Sequence, residues 1–268
     1  MKEFFDVTVL ALLQGVAEFL PISSSGHLVI GQHLLDLKEP GMRLDIFLHV
    51  GTLVSIFAFY RRRIGELLAG LFLPGRDHRA AWEYAGKIVC SAIPACVVYV
   101  LFHDEVDALF ENAKMVGALL MFTGAVLVGT RFLPRGDREV SFLRALWMGA
   151  MQAVALLPGV SRSGMTLAAA RSGRIDAEKA AEFSFLMSAP LIAGGAILDV
   201  AKEFLGSGTS EVAASTELSW GLIAYGAVIA AAVGYFSLAM LLKTLKGKWF
   251  WAFGPYCFVA GLLTLIYC

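Results

Sequence analysis

Charge is scarce in this chain of 268 residues: Asp, Glu, Lys and Arg together make up 16%, against about 25% in an ordinary soluble domain. The 22 basic and 22 acidic side chains also cancel, so no net field points to nucleic acid as a partner. Cysteine is limited to Cys90, Cys96, Cys257 and Cys268. None forms a CxxC pair, which argues against zinc-ribbon and thiol-redox motifs and leaves them as small residues of apolar core segments. The GxxxxGK[ST] phosphate loop and the HExxH zinc motif are both missing. No basic stretch followed by a small-residue cleavage site opens the chain, so its first apolar run is expected to be retained. Polar linkers and low-complexity tracts are missing too, which predicts one domain over residues 1–268.

What the chain has is apolar surface, with 58% of its residues hydrophobic and gathered in blocks that a water-facing surface would not tolerate. Six blocks are long enough to span a bilayer: Leu44–Tyr60, Tyr84–Phe102, Lys114–Phe132, Glu182–Val200, Leu218–Leu242 and Trp249–Cys268. Two more, residues 4–35 and 142–172, are interrupted midway by Pro, Gly and clustered Ser. Unsatisfied backbone costs several kcal/mol per group in lipid, so such a break must be buried in protein or line a wet cavity. The economical reading makes each a re-entrant pair of half-helices.

With that topology the basic residues segregate. Sixteen fall on the side that receives Arg61 to Arg63, five on the other side (Lys2, Lys38, Arg43, Lys114 and Lys202), and Arg162 remains inside a break. The positive-inside rule then makes the basic side cytoplasmic. Asp104, Glu105, Asp107, Glu111, Glu203, Glu211 and Glu217 lie on the outer side, as do both ends of the chain.

The two breaks are related. Gln14-Gly-Val-Ala-Glu-Phe-Leu-Pro-Ile-Ser-Ser-Ser-Gly26 parallels Gln152-Ala-Val-Ala-Leu-Leu-Pro-Gly-Val-Ser-Arg-Ser-Gly164 at an offset of 138, and Phe47-Leu48 recurs as Phe185-Leu186 at the same offset. Each half, about 1–134 and 139–268, holds one re-entrant pair and three spans. Three is odd, so the second half enters the membrane inverted. The expected fold is therefore all-α integral membrane: six transmembrane helices plus two re-entrant half-helix pairs, arranged as an inverted repeat. Such repeats place their site where the two breaks meet near the midplane.

That site would contain Glu18, Ser23, Ser24, Ser25 and His27 from the first break and Ser161, Arg162, Ser163 and Thr166 from the second. Intramembrane Glu, His and Arg are functional candidates by default, because each is costly to insert. Half-helix N-termini and an arginine fork bind phosphate oxygens, and Ser or His beside a carboxylate can act as nucleophile with its base. Serines that only cap a helix, or an Arg162–Glu18 pair that is only structural, are the plainer readings. His33, His49, His78 and His103 sit in no repeated break and are expected to be structural or interfacial. An acid-phosphatase-like membrane phosphatase is excluded by the missing Arg-Pro and by Ala168 at the position of its second histidine.

Residues Gln14 to His27 resemble the first signature of the bacterial undecaprenyl-diphosphate phosphatases of the bacitracin-resistance type, and Pro158-Gly-Val-Ser-Arg-Ser-Gly-Met-Thr166 resembles the second. Glu182-Phe-Ser-Phe-Leu186 matches as well. The resemblance implies hydrolysis of undecaprenyl diphosphate to the monophosphate carrier lipid, in support of peptidoglycan synthesis and bacitracin resistance. It implies an inner-membrane location with the site open to the periplasmic or outer face, and a divalent cation, Mg or Ca. By motif position it makes Glu18, Ser24, His27 and Arg162 catalytic and Ser23, Ser25, Ser161, Ser163 and Thr166 substrate-binding. The cation falls to Glu18 and Gln14, the latter a neutral amide where the family allows Glu or Gln, and a weak hard-metal ligand. Expected partners are the polyprenyl diphosphate and the bilayer, with room for a homodimer and no nucleic acid. The rival from another class is an inverted-repeat transporter or flippase of polyprenyl phosphate.

Overall fold

The computed structural model describes residues 1–35, 37, 42–73, 78–110, 112–205, 218–247 and 249–268, without the side chains of residues 42 and 199–205. Among the charged residues used for orientation, Lys38, Arg76, Glu111, Glu211, Glu217 and Lys248 lie outside the described residues. The described chain is helical throughout, with a single isolated bridge between Arg138 and Ile175 and no strand. Its helices are α1 (Lys2–Ala17), α2 (Ser24–Leu34), α3 (Met42–Phe59), α4 (Arg61–Phe72), α5 (His78–Phe110), α6 (Ala113–Gly129), α7 (Phe142–Val154), α8 (Arg162–Ser172), α9 (Ala177–Leu205), α10 (Trp220–Lys246) and α11 (Phe253–Tyr267).

Five stretches are long and apolar enough to cross a bilayer: His78–Phe110, Ala113–Phe132, Ala177–Leu198, Trp220–Lys246 and Phe250–Tyr267. A sixth is the α3/α4 pair, bent by 75° at Tyr60, if that pair counts as one span. Beyond the triple arginine that ends the apolar run of α3, the chain continues as the short helix α4, whose Ile64 and Leu67 pack against the core. Large apolar side chains such as Val89, Val100, Val228, Val259 and Ile266 face outward, the pattern of a helix bundle solvated by lipid.

Small residues let the helices approach. A Cβ on Gly117 would stand 2.9 Å from the Gly261 carbonyl oxygen, and one on Gly124 would stand 2.8 Å from that of Gly254. The two contacts run in opposite directions along α6 and α11, so these helices are antiparallel. Gly51 of α3 meets the backbone of Ala227 in α10, and Gly149 of α7 meets that of Ser91 in α5, closely enough that a Cβ would collide with either. Hydroxyls reinforce the seams: Ser55 Oγ donates to the Ala231 carbonyl at 2.7 Å, tying α3 to α10.

Both broken segments are helical hairpins. α2 lies back along α1, bringing Gly31 against Leu10 and Leu13. α8 lies back along α7, with Trp147 Nε1 donating to Ser172 Oγ at 3.0 Å and Arg144 Nε to the Gly173 carbonyl at 3.1 Å. Each second helix begins on a serine cap: Ser23 Oγ accepts from Gly26 N at 3.3 Å and Ser161 Oγ from Gly164 N at 3.1 Å. These caps satisfy backbone donors that lipid could not. Ser23 has a positive φ of 70°, a strained position for a residue with a side chain. Its counterpart Ser161 has an ordinary φ of −74°.

Candidate active site

The two breaks face each other. The nearest neighbour of a Cβ on Gly26 is Gly159, at 3.1 Å, and a Cβ on Gly164 would sit 3.4 Å from Pro21. Outer helices hold the breaks in place: Thr123 Oγ1 of α6 donates to the Gly159 carbonyl at 3.0 Å and accepts from Ser161 N at 3.1 Å. On the other side, Ser163 Oγ donates to the Leu20 carbonyl at 3.2 Å.

Glu18 is the hub. Its Oε1 accepts from Arg162 Nη2 at 2.5 Å, and its Oε2 accepts from Ser24 Oγ at 2.7 Å and from Gln14 Nε2 at 3.2 Å. Only 7% of the Glu18 side chain and 15% of the Arg162 side chain are exposed, so the pair is shielded from screening and would be costly to break. The Arg162 guanidinium lies over the Phe185 ring at 5.5 Å, a cation–π contact that fixes its plane. Its Nη1 is buried and has no hydrogen-bond partner among the described residues. A group held with an unspent donor beside a cavity is poised to bind an oxyanion.

That cavity holds about 560 Å³. Glu18, Ser23, Ser24, Ser25, Ser161 and Arg162 all line it, so six of the expected site residues share one space. Its remaining wall is largely apolar, built from α5 and α9, as a lipid substrate requires.

Other expected residues lie elsewhere. His27 is not among the lining residues; its Nδ1 is 2.8 Å from the Ser23 carbonyl and its Nε2 is 2.7 Å from the Tyr256 hydroxyl, with the two rings stacked at 5.6 Å. Ser163 and Thr166 are buried behind the cavity wall. Thr166 Oγ1 donates to the Arg162 carbonyl at 2.9 Å and lies 2.6 Å from Ser184 Oγ, tying α8 to α9. Gln14 is buried beside Glu18, and its Oε1 has no hydrogen-bond partner among the described residues.

Sequence reading missed three residues here. His49, expected to be structural or interfacial, lines the cavity with Nε2 at 3.8 Å from Glu18 Oε2 and Nδ1 on the Asp45 carbonyl at 2.8 Å. It belongs to no repeat, and only the packing of α3 brings it in. Tyr256 likewise arrives from the far end of the chain. Gln152 could have been found, since it is the repeat counterpart of Gln14. It touches the cavity, yet both of its amide atoms are buried and without a partner among the described residues. Cysteine also departs from expectation: Cys257 is buried, but Cys96 is exposed and lines the cavity.

Among the described residues no group of three or more His, Cys, Asp or Glu is placed to cage a metal. Glu18 lines the cavity, whereas Gln14 is buried and turns its Nε2 toward Glu18, so the site suits a cation that takes Glu18 and brings most of its other oxygen ligands with it, as Mg²⁺ does on phosphates.

Apolar helices around a shielded carboxylate, serine and arginine define a multi-pass membrane protein with a polar site built from two helix breaks. The chain belongs to the family described as Bacitracin resistance protein BacA, which it matches over residues 7–263. It is similar to the protein named undecaprenyl-diphosphatase of Desulforapulum autotrophicum, 36% identical over 280 residues and 98% of each chain. The protein of the same name from Desulfosudis oleivorans is 37% identical over 271 residues, 96% of each chain. That of Methanosphaera stadtmanae is 33% identical over 282 residues, covering 99% of this chain and 98% of the relative.

Proposed function

We propose that this protein hydrolyses undecaprenyl diphosphate to undecaprenyl phosphate and inorganic phosphate, recycling the carrier lipid for peptidoglycan synthesis and conferring bacitracin resistance. The observation that carries the reading is Glu18, bonded at once to Ser24 at the head of α2 and to Arg162 at the head of α8. The name shared by full-length relatives supplies the substrate.

In the mechanism the lipid's diphosphate enters the cavity and takes the free Nη1 of Arg162 together with N–H groups at the heads of α2 and α8. Ser24 Oγ attacks the terminal phosphorus, and Glu18 Oε2 accepts the Ser24 proton across the existing hydrogen bond. The P–O bond to the lipid phosphate breaks, and Glu18 passes its proton to the departing phosphate, releasing undecaprenyl phosphate. Water then attacks the phosphoserine with the ionised Glu18 as base; the bond from phosphorus to Ser24 Oγ breaks, Glu18 returns the proton to Ser24 Oγ, and inorganic phosphate is freed. A divalent cation held by Glu18 and the substrate's own oxygens would neutralise charge on the diphosphate, with Gln14 joining if its amide turned its oxygen to the metal. His27, with both ring nitrogens engaged and its ring off the cavity, positions Ser23 and the start of α2, which favours Ser24 as nucleophile.

The finer fold is an inverted repeat, 1–134 on 139–268 within one domain, whose two hairpins are re-entrant. Exchanged contacts support it. At the offset of 138, Gly26 against Gly159 becomes Gly164 against Pro21. At an offset of 137, Gly117 against Gly261 becomes Gly254 against Gly124. Helix packing follows suit: α1 packs on α10, and its counterpart α7 packs on α5. The site opens to the outer face of the inner membrane, since the acidic end of α5 contributes Asp107 and Phe110 to the cavity.

The test is phosphate release from undecaprenyl diphosphate by detergent-purified protein. Glu18→Ala and Ser24→Ala should each lose about 10²–10⁴-fold in kcat while still binding the lipid. Full turnover by Ser24→Ala would overturn the serine mechanism, and no release by the wild type would overturn the function.

A further inference from the structure

A second concave site lies far from the active site. Arg131, Leu133, Arg135, Arg171, Trp249 and Trp251 enclose a pocket of about 480 Å³ where the C-terminal ends of α6 and α8 meet the start of the last helical segment. Phe110, at the mouth of the catalytic cavity, precedes α6, and Arg131 follows it. The intervening helix of 17 residues separates the two by about 25 Å. Along α8, Arg171 lies nine residues beyond Arg162, about 14 Å along the axis. That is close to half of a hydrocarbon core about 30 Å thick, so a break near the midplane puts this pocket at headgroup depth on the opposite face.

Three guanidinium groups converge here without an acidic partner among the described residues. Arg171 Nε and Nη2 donate to the Leu133 carbonyl at 3.3 and 3.2 Å, and Arg135 Nη2 donates to the Gly247 carbonyl at 2.6 Å. Arg131 lies over the Trp251 ring at 4.7 Å. Each guanidinium carries five N–H donors, so most have no partner among the described residues, and Arg135 is near enough to Arg171 to repel it. The carboxylates of the adjoining recess are already occupied: Asp176 accepts from Glu178 N and Lys179 N, and Glu178 pairs with Lys246. The plainer function of these arginines, capping helix C-termini, uses only a fraction of the donors and leaves the charge uncompensated.

We propose that this pocket binds the phosphodiester headgroup of an anionic phospholipid in the leaflet opposite the catalytic opening. Arg131, Arg135 and Arg171 hold the phosphate oxygens, while Trp249 and Trp251 sit at the headgroup level, where indole rings are favoured. Bound lipid ties the end of α8, which carries Arg162 at its other end, to the ends of α6 and α10. It acts on stability and not on the chemistry.

The test compares full-length protein in nanodiscs of phosphatidylcholine with and without phosphatidylglycerol, read by thermal unfolding. At about a hundredfold excess over Kd the wild type should gain roughly 5–10 °C from phosphatidylglycerol, and Arg131→Gln/Arg135→Gln should gain none. The double variant should match wild type in phosphatidylcholine and keep its phosphate release in neutral detergent. Native mass spectrometry of the wild type, which needs no variant, should retain phosphatidylglycerol in preference to phosphatidylcholine. An equal gain from millimolar inorganic phosphate, a gain that survives in the double variant, or no lipid preference would each overturn the proposal.

Discussion

Glu18 holds four neighbours with two oxygens, and each neighbour sets a different sensitivity. Arg162 makes the short contact and keeps one donor in reserve, a division of labour that depends on a planar fork. Arg162→Lys should therefore raise KM for the diphosphate about 10–100-fold while leaving the protein folded, as measured by phosphate release and by thermal unfolding together. Gln152 poses the reverse case. Both of its amide atoms are buried without partners, a state that costs about 1–3 kcal/mol. Gln152→Leu, nearly equal in volume, should raise the melting temperature; a fall would mean that the amide has a partner in the membrane. Glu18, the serines and Arg162 were legible in the sequence because a charge or a serine cluster in an apolar run stands out. His49 and Tyr256 were not, since an isolated histidine or tyrosine carries no local signal and each reaches the site only through tertiary packing.

At the scale of elements, glycine decides which helices can touch. Gly51→Val would drive a side chain into the backbone of Ala227, and overpacking of this kind costs about 1–3 kcal/mol. Gly65→Ala in α4 meets nothing and adds helix propensity of roughly 0.5–1 kcal/mol. Thermal unfolding in one detergent should place the two variants on opposite sides of the wild type. The interrupted hairpins were plain in the sequence, because Pro, Gly and Ser within apolar runs are hard to place in lipid otherwise. The bend at Tyr60 was not: hydrophobicity ends at Arg61 whether the chain there unwinds or turns aside as a new helix, and the choice is made by contacts of Ile64 and Leu67 with the core.

For the molecule as a whole, the basic residues supply a prediction about sidedness. In a background where all four cysteines are replaced, a cysteine at Asp104 should react with an impermeant maleimide in intact cells. One at Arg138 should react only after the cytoplasmic face is opened. The reverse pattern would turn the protein over and place its cavity on the wrong side for the proposed function. Composition made the membrane character readable, and the 138-residue offset made the pairing of the breaks readable. The pairs exchanged between halves, such as Gly26–Gly159 with Gly164–Pro21, were beyond the sequence because glycine contacts leave no compositional trace.

The ion pair between Glu18 and Arg162 spans 144 residues of chain, and three of the six apolar spans lie between its partners. A ribosome that has delivered only the first half has made Glu18 and Ser24, the proposed base and nucleophile, but not Arg162. Until the second break arrives, Glu18 keeps Ser24 and Gln14 as partners but lacks its cationic one, a costly state for a carboxylate at bilayer depth. On the proposed mechanism, the first turnover waits until both halves have docked.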